Sequence, residues 1–188
     1  MSYEEDVRKS VEVLRRGGVI LYPTDTIWGL GCDAASEEAV GRIHQIKRRP
    51  AGKSYILLVT AEMLERYVPH LSPALRREMT AGDRPTTYIL EGVREVSEAV
   101  RAADGTAALR VPRDPFCQEL LERFGGAIVS TSANFAGMAP PAHFGQVDPA
   151  LASQADYVVR WRQDDRTPAQ PSRILRILGD GRREVIRE

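Results

Sequence analysis

The chain is 188 residues long, the size of one domain with a substantial core. Hydrophobic residues make up 43% and charged residues 28%, near the average for a globular protein, which excludes wholesale disorder. Lys plus Arg and Asp plus Glu number 26 each, so a surface that grips nucleic acid everywhere is excluded, because such binding neutralises many phosphates; a local basic pocket is not.

The first element reads as a helix. Ser2 and Glu5 stand at capping-box spacing, and Val7, Val11 and Leu14 share a face before Gly17-Gly18 stops it. An apolar strand follows over 18–22 and ends at Pro23. Ser36 caps a second helix with Ala39, Ile43 and Ile46 on one side, running out into Lys47-Arg48-Arg49-Pro50. A strand over 55–60, helices near 61–68 and 73–80, a strand over 86–90, a short helix and a strand over 106–111 come next. Asp114-Pro115 opens another helix, with Cys117, Leu120, Leu121 and Phe124 on its buried side. Strands are expected at 127–130 and 157–160, and a closing hairpin joins 173–178 to 183–187 around Gly179-Asp180-Gly181. Helices alternating with short strands imply an α/β sheet, and the hairpin makes it mixed. The longest loop spans 135–145, and a second irregular stretch, 163–171, could be a lid or simply a solvated connection.

Cys32 and Cys117 are far apart, and they and His44, His70 and His143 fall in no metal-ligand spacing. Free thiols in a reducing cytosol, no protein-held metal and no membrane span are therefore expected. There is neither a Walker loop nor a Gly-x-Gly-x-x-Gly.

Three segments could carry chemistry. Tyr22-Pro23-Thr24-Asp25-Thr26-Ile27-Trp28-Gly29-Leu30-Gly31 places hydroxyls and a carboxylate beyond a strand end, where α/β sheets bind ligands; it could equally be a turn satisfying its own backbone. Lys47-x-Arg49-Pro50-x-x-Lys53 could converge on a polyphosphate or be a solvated basic face. Ser130-Thr131-Ser132-Ala133-Asn134 offers uncharged donors to phosphate or ribose, or is an ordinary strand end. No Gly-x-Ser-x-Gly elbow is present, which disfavours a serine hydrolase.

Taken in order, Y-P-T-D-T-x-W-G-L-G, K-x-R-P-x-x-K and S-T-S-A-N resemble the YrdC family, the threonylcarbamoyl-AMP synthases. Thr86-Thr87 in its strand, Leu109-Arg110-Val111-Pro112, and Pro171-Ser172 with Arg187 resemble further family motifs. The resemblance implies a single catalytic domain over 1–188, lacking the C-terminal domain of longer relatives, with a twisted mixed β-sheet flanked by helices and a concave basic cleft. It implies a cytoplasmic nucleotidyltransferase that condenses L-threonine, bicarbonate or CO2 and ATP to threonylcarbamoyl-AMP and pyrophosphate for tRNA modification. Mg²⁺ would be held mainly through the ATP phosphates. A downstream threonylcarbamoyl transferase complex would take the product, and a tRNA contact is left open.

Carried over, Lys47 and Arg49 would be catalytic. ATP would be held by Lys47, Arg49, Lys53, Thr87, Ser132, Asn134 and Arg187, and threonine by Thr26, Arg110, Ser130 and Ser172. Two departures stand out: Arg173 replaces the threonine of the closing P-S-T-I, and Gly82-Asp83-Arg84-Pro85 stands for W-P-G-P. The alternatives are a YciO-like paralogue with altered or weak nucleotide chemistry, which Arg173 leaves open although intact Lys47, Arg49, Ser132 and Asn134 favour the synthase, and a non-enzymatic RNA-binding module using the arginines from Arg160 onward. The neutral total charge and the lack of interleaved aromatics stand against the latter.

Overall fold

The computed structural model describes residues 3–48 and 55–188. The first helix, α1, is Glu4–Arg15, with Val7, Val11 and Leu14 buried as the spacing predicts. Its N-cap is Tyr3, without a side-chain bond; Ser2 lies outside the described residues. The acidic first turn, Glu4, Glu5 and Asp6, suits the positive end of the helix dipole instead. Helix α2, Glu37–Lys47, starts where expected: Ser36 Oγ accepts the Ala39 N–H at 3.2 Å. It stops at Arg48, which adopts left-handed backbone at φ 50° and lays its guanidinium over the Phe135 ring.

Helices α3 (Leu64–Tyr67), α4 (Pro73–Ala81), α5 (Pro115–Phe124) and α6 (Pro149–Ala152) follow. Asp114 caps α5 by accepting the Cys117 N–H. The short helix after the fourth strand is a 3₁₀ turn, Glu98–Val100, and another 3₁₀ turn at Phe144–Gln146 interrupts the long loop.

The strands are β1 (Ile20–Tyr22), β2 (Gly29–Gly31), β3 (Ile56–Leu58), β4 (Thr86–Leu90), β5 (Ala107–Arg110), β6 (Ile128–Ser132), β7 (Tyr157–Val158), β8 (Arg173–Ile177) and β9 (Arg183–Arg187). They form one mixed sheet in the order β7-β1-β2-β6-β3-β5-β4-β8-β9. β3 runs parallel to β5, and β6 antiparallel to both β2 and β3. The closing hairpin, β8–β9, extends the sheet beside β4. Helical faces pack a core that includes Tyr22, Leu14, Leu57, Leu109 and Phe116, each at most 1% exposed. Burying each such side chain contributes about 1.5–3 kcal/mol before chain entropy is charged against it.

β2 is the one strand absent from the sequence reading. Gly-Leu-Gly has poor strand propensity, but the fold demands it: a Cβ on Gly31 would stand 2.7 Å from the Tyr22 ring and 2.9 Å from the Val129 carbonyl. Only glycine lets β1, β2 and β6 approach this closely with the tyrosine between them. β6 also runs two residues further than expected, taking Thr131 and Ser132 into the ladder with β2. Among the described residues no helix is long and apolar enough to cross a membrane.

Candidate active site

Seven segments converge on a cleft of about 270 Å³, among them Tyr55 and Ile56 at the start of β3. Thr26 comes from the β1–β2 turn, Arg110 from the end of β5, and Ser130 and Ser132 from β6. Ser172 comes from the approach to β8, and Arg187 from β9. Pro140 and Pro171 reach it from the two long loops. Among the described residues two guanidiniums and several hydroxyls line it, and no carboxylate does. Such a wall accepts an anion.

Arg110 is the floor, only 2% exposed. Its Nη1 donates to Asp25 Oδ1 at 2.6 Å, while Asp25 Oδ2 accepts the Arg113 N–H at 3.2 Å. Its Nε is buried with no partner among the described residues, which leaves donor capacity beneath the cleft. A buried cation is tolerated because Asp25 neutralises it from behind.

Arg187 donates from Nε and Nη2 to the Ser172 carbonyl at 3.0 and 2.7 Å. Burial and the nearby Arg110 charge lower its pKa from the usual arginine value, though a guanidinium stays protonated in any ordinary medium. Behind Ser172, the fully buried Thr87 shares a hydroxyl–hydroxyl bond of 2.8 Å with it. Thr87 is therefore one layer behind the cleft surface.

Lys47 and Asn134 face elsewhere. The Lys47 ammonium, 3% exposed, donates to the carbonyls of Ser132 at 2.5 Å and Asn134 at 2.7 Å. Asn134 Nδ2 donates to the carbonyls of Phe135 and Met138, so both brace the turn that follows β6. Neither borders the cleft. Arg49 and Lys53 lie outside the described residues.

A second, wider cavity of about 540 Å³ joins the first through Thr26 and Pro171. The stretch 165–171 walls it, and Ala169 N–H donates to the Ala142 carbonyl, tying the two long loops together. Arg84 and Arg173, the two departures from the family motifs, meet on Glu188 at 2.8 and 3.2 Å at its edge. Arg162, with φ at 64°, bonds the Thr24 carbonyl, Asp114 and Asp165. Sequence reasoning missed Arg162, for which no local signal exists. It noticed Asp25 only as a member of the Thr-Asp-Thr run, with no sign that Arg110 is its partner.

The thiols are inert. Cys32 and Cys117 are buried, and burial pushes both pKa values far above the usual thiol range. Among the described residues no cluster of His, Cys, Asp or Glu could hold a metal ion.

A family model, Sua5_yciO_yrdC, described as telomere recombination, matches residues 12–188. The chain is 38% identical over 175 residues to a threonylcarbamoyl-AMP synthase of Xanthomonas euvesicatoria pv. vesicatoria, covering 90% of this chain and 91% of that protein. The fold is similar to E. coli YciO, with a TM-score of 0.81 and 28% identity over 98% of this chain and 89% of that one. It is also similar to P. abyssi Sua5 complexed with L-threonine, with a TM-score of 0.79 and 24% identity over 92% of this chain. This chain spans about half of that archaeal protein, at 51%. The chain belongs to the Sua5/YciO/YrdC family.

Proposed function

We propose that this chain is a threonylcarbamoyl-AMP synthase, joining L-threonine, CO2 or bicarbonate, and ATP into threonylcarbamoyl-AMP and pyrophosphate. The observation that carries the reading is the cleft that Arg110 and Arg187 line together with Thr26, Ser130, Ser132 and Ser172, with no carboxylate among the described residues of its wall. A synthase 38% identical over most of both chains supports it.

The chemistry suits such a wall. The carbamate of threonine is a weak oxygen nucleophile, and it loses CO2 readily in bulk water. Holding it in line with the α-phosphate, away from water, is most of the task. Arg110, oriented by Asp25, holds the carbamate or carboxylate anion, and Arg187 with the β6 hydroxyls meets the charge that builds as pyrophosphate leaves. Lys47 acts by holding the Ser132–Asn134 turn in shape, with Thr87 backing Ser172. Arg49 and Lys53 complete the phosphate cradle in this reading. Mg²⁺ arriving on ATP would neutralise phosphate charge. The proposed protein works as one catalytic domain in the cytoplasm, handing its product to a transferase that modifies tRNA.

The test is incubation with ATP, Mg²⁺, bicarbonate and L-threonine, following pyrophosphate release and the adenylate by mass spectrometry. Product that requires both threonine and bicarbonate, and is lost in Arg110→Ala, is expected. ATP binding without threonine-dependent product would instead favour a YciO-like activity, the reading that the fold similarity to YciO keeps in view.

A further inference from the structure

The β1–β2 turn carries a short chain of hydroxyls whose protons can be fully assigned. Thr24 Oγ1 lies 2.9 Å from the Ile27 carbonyl oxygen, 2.9 Å from Thr26 Oγ1 and 3.0 Å from the Thr26 backbone nitrogen. A carbonyl has no proton to give, so the single proton of the Thr24 hydroxyl points at Ile27. Any other placement leaves two lone pairs facing one another at 2.9 Å. The Thr24 oxygen then accepts twice, from the Thr26 N–H and from the Thr26 hydroxyl. Thr26 thus has its only hydroxyl proton directed inward.

Thr26 lines the cleft, and with its proton committed to Thr24 its Oγ1 has only lone pairs left to offer a ligand there. Thr24 is 2% exposed and Thr26 8%, so bulk water can do little to rearrange the pair. Across the cleft the polarity is reversed, since Arg110 and Arg187 are donors only. The serines can turn either way. The carboxylate of the adjoining Asp25 is already engaged by Arg110 and Arg113.

We infer that Thr24 is a positioning residue that fixes Thr26 as a hydrogen-bond acceptor for a donor hydrogen of the amino-acid substrate, its N–H or its side-chain O–H. The inference rests on the threonine-dependent activity proposed above. Its consequence is a polarity filter. A phosphate or carboxylate oxygen brought to Thr26 meets lone pair against lone pair and is turned toward the arginines, whereas an N–H or O–H is received. The amine nitrogen keeps one hydrogen after it becomes a carbamate, so the contact can persist through the reaction.

The test is a kinetic comparison of Thr24→Val, Thr24→Ala and Thr24→Ser in the full chain. Valine and alanine remove the acceptor and free the Thr26 proton to turn outward, while serine keeps the oxygen. The expected result is a KM for L-threonine raised about tenfold in the first two, with kcat and the KM for ATP within about twofold, and near-parent values in Thr24→Ser. L-2-aminobutyrate, which has the N–H but no hydroxyl, separates the sources. An effect of equal size with both substrates assigns the donor to nitrogen, and one confined to L-threonine assigns it to the hydroxyl. A folded valine or alanine variant with an unchanged KM for threonine overturns the inference, as does a loss shared equally by kcat and ATP binding. A parent protein that makes no threonine-dependent product overturns the proposed function and this inference together, so the two failures are distinct.

Discussion

Asp25 and Arg110 are separated by 85 residues of chain and meet at 2.6 Å, with 11% and 3% of their side chains exposed. One comes from a turn, the other from a central strand, and the sheet order alone brings them together. The pair lets a cation sit beneath a cleft whose wall, among the described residues, has no carboxylate.

Removing the acid leaves the guanidinium buried and uncompensated. Asp25→Ala is expected to cost roughly 3–5 kcal/mol in urea unfolding, and Arg110→Met with Asp25→Leu to recover much of that loss. A cost for Asp25→Ala below about 1 kcal/mol would mean the pair behaves as an exposed one.

Lys47 offers a second test, because its ammonium serves two carbonyls of the turn after β6. Lys47→Met keeps the aliphatic bulk and leaves those oxygens without that donor. Each costs about 1–3 kcal/mol if no water reaches it. Thermal denaturation should therefore show a clear loss of stability, together with a raised KM for ATP. Weaker ATP binding at parent stability would instead make Lys47 a direct phosphate ligand.

Two glycines should respond in opposite directions to alanine. At Gly31 the new methyl meets the Tyr22 ring and the Val129 carbonyl, and overpacking of this kind costs about 1–3 kcal/mol. At Gly41, inside α2, nothing lies within 4 Å of the added carbon, and alanine should stabilise by about 0.5–1 kcal/mol through helix propensity. Chemical denaturation of both variants decides; equal signs would contradict the packing.

Asp104 sets an expectation for acid pH. Hydrogen bonds from the Thr106 hydroxyl and N–H, with Arg176, lower its pKa to about 2 from 3.8. A carboxyl depressed in the folded state stabilises above its unfolded pKa, and that contribution fades as pH falls through the folded one. Stability measured from pH 4 down to 2 should therefore drop less steeply in Asp104→Asn than in the parent. Parallel slopes would show that Asp104 is not held in this way.

Local order was legible in the residues. Ser36 and Asp114 cap the helices they were expected to cap, because an N-cap needs only one side chain and a backbone N–H three residues on. Apolar spacing identified the buried face of α1, and Gly179-Asp180-Gly181 marked the hairpin. The motif residues Thr26, Arg110, Ser130, Ser132, Ser172 and Arg187 do reach one cleft. β2 stayed hidden because its glycines obey a contact with Tyr22 and Val129 rather than a strand preference.

By itself, then, the sequence determined most helices, the Ser36 and Asp114 caps, most strands, the closing hairpin and the family, since each depends on patterns within a few residues or on ordered motifs; the short α6 was not among them. Tertiary structure alone decided where the polar side chains point. It directs Lys47 to backbone carbonyls, sets Thr87 behind Ser172, and joins Asp25 to Arg110. The physical reason is that such orientations follow from strand order and burial, where partners far apart in the chain compete for each donor and lone pair.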